Sequence, residues 1–441
     1  MPRRLELIAE AINPDEVLNE NRKKAAVLKA QVQEEAERVA RTPRAHCTWA
    51  YIPGIVCPPQ VRPAYGRIAQ NDHRWTTRMS AMTERERFHA CMDYQFVDVT
   101  PHWTWGAWPE TIERWKSEGY DPAITDIAQG ASPVQWIGSW FFPHPPFEHT
   151  VLQEDDEHIL YVNHEGILMR EMKNQPLSSM PQFVRFPVET REDFRAFWTS
   201  RMKPDLEARL GPDWRQQIQA RAGTPVPFLV ISDRWGGFFG PLRNLVGVER
   251  LCTLFYDDPA FVEEMMDADA DFIIAMMSRI LDVAPVDAFA FWEDMAYKTG
   301  PLLTPRLARK YMLPRYRRVT EFLRSRGVRW IGLDSDGNIE ALIPIWLDAG
   351  LNFLYPFEVQ AGMDVVSVRR RYGRELRLIG GIDKRAVADG VQAIEAELER
   401  VRPLIEEGGY IPMLDHSCPP DISWKNYTYY MRRLGEICRH G

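Results

Sequence analysis

The 441-residue sequence has no uninterrupted apolar run long enough to cross a bilayer, and its N-terminus lacks the apolar core of a secretion signal. A cytoplasmic location is therefore expected. Its six cysteines are scattered, with no C-x-x-C pair, which fits reduced thiols better than a disulfide framework. Excess basic charge is missing too, because the formal net charge is -8, and a phosphate-binding surface would want clustered Lys and Arg. Neither a nucleic acid nor a membrane is expected as partner. The run Arg369-Arg370-Arg371 reads as a solvated helix face. The cluster Gly236-Gly237-Phe238-Phe239-Gly240 has neither a Lys-Ser/Thr ending nor a G-x-G-x-x-G frame, so it reads as a flexible turn rather than a nucleotide loop.

What the sequence does hold is apolar mass, 45% of residues against 26% charged, enough for a large core. From Pro259 onward a unit recurs: an amphipathic helix, a stopping glycine (Gly327, Gly350, Gly373, Gly408), a short apolar strand, then an acidic loop. This pattern predicts α/β architecture with parallel strands, a (β/α)8 TIM barrel over residues 81–441. Thr83-Glu84-Arg85-Glu86 is a capping box that opens it, and Val97-Asp98-Val99-Thr100-Pro101 reads as the first strand. Alternation over 159–162 and 167–172 around His164-Glu165-Gly166 predicts a β-hairpin inserted at the rim. Residues 1–80 read as an N-terminal helix with a thin apolar stripe, followed by an aromatic, proline-rich arm suited to a second subunit, so a homodimer is expected.

In a closed barrel the loops after the strands converge on one mouth. Four of them, around Asp334-Ser335-Asp336-Gly337-Asn338, Tyr355-Pro356-Phe357-Glu358, Gly380-Gly381-Ile382-Asp383-Lys384 and Asp415-His416-Ser417-Cys418, bring carboxylates, a lysine and an imidazole there, and Glu293-Asp294 add two more acids. Asp334, Asp383 and Asp421 are also candidates to cap the next helix. So many carboxylates cannot all ionise together without a cation, a shared proton or solvent. Asp334, Asp336 and His416 have the composition of a carboxylate and imidazole metal site, for Zn, Mn or Fe, with Cys418 as a further ligand. Trp105 and Trp292, beside strand ends, are candidates to line a substrate pocket with Asp383 and Lys384.

At Phe291-Trp292-Glu293-Asp294-Met295-Ala296-Tyr297-Lys298, Asp334-Ser335-Asp336-Gly337-Asn338, Gly380-Gly381-Ile382-Asp383-Lys384 and Gly409-Tyr410-Ile411-Pro412 the chain resembles the uroporphyrinogen decarboxylase superfamily. That superfamily includes porphyrinogen decarboxylases and cobalamin-linked methyltransferases. Against the methyltransferase branch, Asp334 and Asp336 stand in place of a His and a Cys, and His416 in place of a later Cys, so the resemblance implies three metal-ligand positions without thiolates. Against the decarboxylase branch, His416 with Asp421 matches an active-site His spacing, and Asp126 is loosely similar to an essential Asp. An Arg-Gln-Ala-Gly-Arg segment that holds substrate carboxylates has no counterpart here.

The expected activity is metal-assisted methyl transfer from a small methylated donor to a corrinoid carried on a partner protein, with Glu293, Asp294, Glu358 and His416 as catalytic candidates. A decarboxylase acting on a porphyrinogen is the alternative, and a non-catalytic barrel the third reading.

Overall fold

The computed structural model describes residues 81–137, 139–173 and 180–439, so the expected helix and arm over residues 1–80 lie outside the described residues. Seven parallel strands form one sheet in sequence order: β1 (Gln135–Ile137), β2 (Phe228–Ile231), β3 (Ala288–Trp292), β4 (Trp330–Asp334), β5 (Phe353–Tyr355), β6 (Arg377–Ile379) and β7 (Tyr410–Ile411). Parallel neighbours need a crossover, and helices such as Pro259–Leu281, Leu313–Ser325 and Val391–Glu407 provide it.

Side chains alternate across a strand, and the two faces of this sheet bury two separate cores. Leu229, Ala288, Ala290, Trp330, Phe353, Tyr355, Ile379 and Ile411 share the inner one, which Phe88, Cys91 and Met92 of the helix Glu84–Met92 complete. Val230, Phe289, Phe291, Ile331, Leu333, Leu354 and Leu378 point the other way, into the helix layer. The inner space is filled closely: a Cβ at Gly332 would lie 2.3 Å from the Phe353 ring. The helix Glu84–Met92 begins at the expected capping box, with Thr83 and Glu86 bonded reciprocally. Its far end fastens to the sheet through Gly409 N, which donates to Cys91 O at 2.7 Å.

Three expectations are corrected. The predicted first strand around Val97-Thr100 makes only a single bridge, Val99 to Arg439. Pro101 has no N–H to give to a ladder, and the His102 ring occupies the carbonyls of Thr100 and Gly130 at 3.1 and 2.6 Å. This irregular segment nonetheless lies between the sheet ends, since Trp103 N donates to Pro412 O at 3.2 Å and Ser132 N to His102 O at 2.8 Å. The predicted hairpin is the centre of a larger insertion: strands His158–Val162 and Leu168–Met172 pair as expected, but Thr150–Glu154 and Gln182–Arg185 extend them to a four-stranded antiparallel sheet. The outer two strands escaped notice because they are exposed on both faces and show no alternation.

The third correction concerns residues 236–240, which are pinned rather than loose. Phe238 N, Phe239 N and Gly240 N donate to the Glu293 carboxylate at 2.6, 2.6 and 3.0 Å, and the Tyr316 hydroxyl donates to it as well. Glu293 continues the outward row Phe289, Phe291, so its side chain enters the helix layer, where it is fully buried. Burial pushes its carboxyl up to about 7 against the pull of these donors. Glu293→Ala would strand three backbone N–H groups and a phenol, and should cost about 3–5 kcal/mol in urea denaturation. Tyr316→Phe, which removes one donor, should cost about 1–2 kcal/mol. A loss under 1 kcal/mol for Glu293→Ala would show that the anchor does not hold this loop.

Candidate active site

Trp292, Asp334 and Tyr355 stand side by side in register at the C-terminal edge of β3, β4 and β5, on the inward parity. Directly beyond them the loops add their charges. Burial, together with Asp336, Asp294 and Asp233, holds the Asp334 carboxyl well above the usual carboxylate range. Asp336 is raised in the same way, by burial and then by Asp294 and Glu358, with only Lys384 opposing. Crowded acids of this kind hold their protons more tightly than isolated carboxyls do.

On the far side of the mouth Lys384 Nζ lies 3.5 Å from Asp415 Oδ2 and 4.0 Å from Glu358 Oε1. Asp415 also accepts Val359 N at 2.9 Å and Lys384 N at 3.1 Å, and burial still raises its carboxyl to about 6. Glu358 accepts Gly337 N at 3.1 Å, which ties the 334–338 loop to this group. His416 Nε2 is 3.6 Å from Asp336 Oδ2. Burial, helped by the Lys384 ammonium, lowers the imidazole to about 4, so it is neutral at physiological pH. Trp108 meets it edge-on, with ring centroids 6.0 Å apart.

An aromatic wall faces the acids. Trp105 lies 5.8 Å from Trp136 and 5.6 Å from Tyr355, centroid to centroid. Arg243 stands over Trp292 at 4.9 Å and donates to the Asp294 carbonyl and carboxylate at 2.7 and 3.2 Å. Asp294 in turn accepts Asp336 N at 3.2 Å.

The structure therefore brings Asp294, Asp334, Asp336, Glu358, Lys384, Asp415, His416, Trp105 and Trp292 to one edge, and turns other expected residues away. Glu293 points outward, one residue out of phase with Trp292 and Asp294. Asp383 caps the helix Lys384–Asp389 and pairs with Arg385 at 2.8 Å. Asp421 is exposed and is not the cap of the final helix, which is Ser423. Asp126 is also exposed. Cys418 is buried, with its backbone tied to Gly106 and Trp108 and its carbonyl accepting from Thr111, so burial raises its thiol.

Sequence reasoning missed Asp233, Arg234, Arg243 and Glu165. Asp233 follows β2 as the other mouth acids follow their strands, a signal that was available. Glu165 gave none: it comes from the turn of the inserted sheet and reaches Arg234 at 3.4 Å, buried at 2% exposure.

A divalent metal at Asp334, Asp336 and His416 does not fit this arrangement. Among the described residues no three His, Cys, Asp or Glu side chains converge closely enough to hold one. His416 Nε2 stands 3.6 Å from the nearest Asp336 oxygen, and the Lys384 ammonium already acts on both Asp336 and His416.

Residues 235–436 match the family model described as uroporphyrinogen decarboxylase (URO-D). The resemblance to the uroporphyrinogen decarboxylase superfamily is borne out over these residues. Among solved structures it is similar to a methyltransferase from Methanosarcina mazei, with a TM-score of 0.53, 16% identity, and coverage of 81% of this chain and 99% of that one. A B12-independent methionine synthase from Shewanella sp. W3-18-1, in complex with selenomethionine, has a TM-score of 0.34 at 12% identity, over 66% of this chain and 74% of its own. No curated protein sequence matches the chain. The M. mazei likeness is one of fold, and the superfamily match begins at the pinned loop and runs through every later mouth loop.

In the folded protein His416 loses affinity for its proton, so protonation opposes the fold and stability should drop as pH falls from 6.5 towards 4. Selective 15N-histidine NMR should show its ring unchanged between pH 8 and 5. Lys384→Met should move that titration upward and raise Asp415 further, since the lysine lowers both. An imidazole titrating near 6.5 in wild type would contradict this electrostatic picture.

Proposed function

We propose that this superfamily member transfers a methyl group from a small methylated donor to a corrinoid carried by a separate protein. The observation that carries the proposal is the charge balance of the mouth. Lys384 is engaged by Asp415 and Glu358, Arg243 by Asp294 and Arg234 by Glu165, so each of these cations already has an acid beside it. A substrate with several carboxylates would have to compete with these acids for every cation. A small neutral or cationic donor held against Trp105, Tyr355 and Trp292 needs no such cation. The fold shared with the M. mazei methyltransferase supports the same reading.

In this reading the proton retained by the Asp334 and Asp336 carboxyls passes to the donor heteroatom as its bond to the methyl carbon breaks. The carboxylate left behind recovers a proton from solvent, for which the neutral imidazole of His416 beside Asp336 is a relay that accepts at one ring nitrogen as it gives from the other, and Asp294 and Glu358 hold the loops in place. The corrinoid supplies the acceptor for the methyl group when its carrier is docked, and no residue of this chain is assigned to holding it. We further propose that the barrel closes through residues 97–108, and that the protein is a cytoplasmic homodimer. Among the described residues no helix is long and apolar enough to cross a membrane.

Purified protein should methylate a reduced corrinoid from a methoxy or methylamine donor, followed by absorbance, and should release no carbon dioxide from uroporphyrinogen. Asp336→Asn should slow transfer by about 10²–10⁴-fold with little loss of stability. Robust decarboxylation would replace this proposal with the other branch of the superfamily.

A further inference from the structure

The opposite end of the sheet carries a cluster of the other sign. Tyr94 follows the helix Glu84–Met92 in a left-handed conformation, φ 57°. The guanidinium carbons of Arg369, Arg374 and Arg377 lie 5.0, 4.8 and 5.3 Å from its ring centroid. Arg377 is also 4.9 Å from the Trp330 ring, which Arg329 approaches to 5.0 Å. The ring is seated on bare backbone, since a Cβ at Gly409 would come within 2.2 Å of it. Four guanidiniums thus surround two aromatic rings at the starts of β4, β6 and β7. Arg369, expected as part of a solvated helix face, is buried here and donates to the carbonyls of Gly408 and Gly409 at 3.1 and 2.8 Å.

The acids do not balance them. Arg329 pairs with Asp93 at 2.7 Å, and Arg369 and Arg374 share Glu407 at 3.0 and 3.2 Å. Arg377 is the exception. It donates to two carbonyls, Met92 O at 2.9 Å and Glu375 O at 3.3 Å, and makes no ion pair among the described residues. Glu375, exposed on the adjoining turn, pairs with none of the four. Burial, against the pull of Tyr94 and Asp93 and with repulsion from Arg369 and Arg329, weakens the hold of Arg377 on its proton. A guanidinium cannot shed that proton at physiological pH, so only an arriving anion relieves the excess.

We propose that this cluster binds a phosphate-type oxyanion, gripped by Arg377 with Arg374 and Arg329 at the rim. A guanidinium fork offers parallel N–H donors, and a tetrahedral oxyanion can accept from several forks at once, which a single carboxylate does less well. Arg374 and Arg329 are 63% and 59% exposed, so both can turn towards a ligand. The site lies at the strand ends away from the mouth and does not depend on the reaction performed there. Its occupant would tie the helix Glu84–Met92, through the Met92 and Asp93 contacts, to the strands whose inner core it completes.

Equilibrium dialysis with radiolabelled inorganic phosphate, in about 0.1 M chloride to screen diffuse attraction, should reveal one saturable site per chain. Arg377→Gln should weaken it by about tenfold or more. The exposed pair Arg374→Gln with Arg329→Gln should weaken it several-fold while leaving the circular dichroism spectrum unchanged, which keeps the test valid if Arg377→Gln misfolds. Competition with glycerol phosphate separates two sources: displacement supports a phosphomonoester site, and failure to displace supports one for free phosphate alone. Absence of saturable binding in wild type, or equal binding in wild type and both variants, would overturn the proposal.

Discussion

The two-residue alternation of a parallel strand is the constraint on which the rest of this molecule depends. Each strand contributes one set of residues to the inner core and the other to the helix layer, and the loop that follows inherits the phase. In β3 that phase places Trp292 inward beside Asp334 and Tyr355, and sends Glu293 out to meet the backbone of residues 236–240. Two adjacent carboxylates, Glu293 and Asp294, consequently do different work. One anchors a loop from behind, and the other joins the mouth and fixes Arg243.

Electrostatics at the mouth follow from having carboxylates crowded at the ends of neighbouring strands. Burial alone would disfavour their charge, and their proximity disfavours it further, so Asp334 and Asp336 hold their protons more tightly than isolated aspartates. Lys384 counters this on one side only, and it adds to the burial that keeps the His416 imidazole uncharged. A protonated acid next to a neutral base is a combination suited to passing a proton to a departing heteroatom. The same combination leaves little attraction for a polyanionic substrate.

The inserted antiparallel sheet extends the site in a way that a plain barrel would not. Asn163 accepts Glu165 N and Ile167 N at 3.0 and 2.8 Å, shaping the turn that delivers Glu165 to Arg234. An element distant in sequence from every mouth loop therefore places a carboxylate beside Arg234 on one wall. At the other end of the sheet, the aromatic side chains Tyr94 and Trp330 gather guanidiniums rather than acids, so the two ends of the sheet carry opposite signs.

Much of this was legible in the sequence. Gly327, Gly350, Gly373 and Gly408 mark helix ends and all have positive φ, and the strands before Asp334, Glu358, Lys384 and Asp415 stand where the apolar runs predicted them. Such features are local: a stop residue or a short apolar run acts on its own neighbours, so its meaning survives without tertiary information. The superfamily resemblance was legible for the same reason, being carried by contiguous motifs. What only the tertiary structure decided were relations across the fold. Glu293 needed the strand's phase relative to Tyr316, and Asp383 and Asp421 needed the helix starts that separate a cap from an exposed acid. Glu165 needed the placement of an inserted sheet, and Asp334 with Asp336 needed the crowding by Asp294 that comes from a neighbouring strand. Strand parity and helix register convert a spacing in sequence into a direction in space, and a site is made of directions.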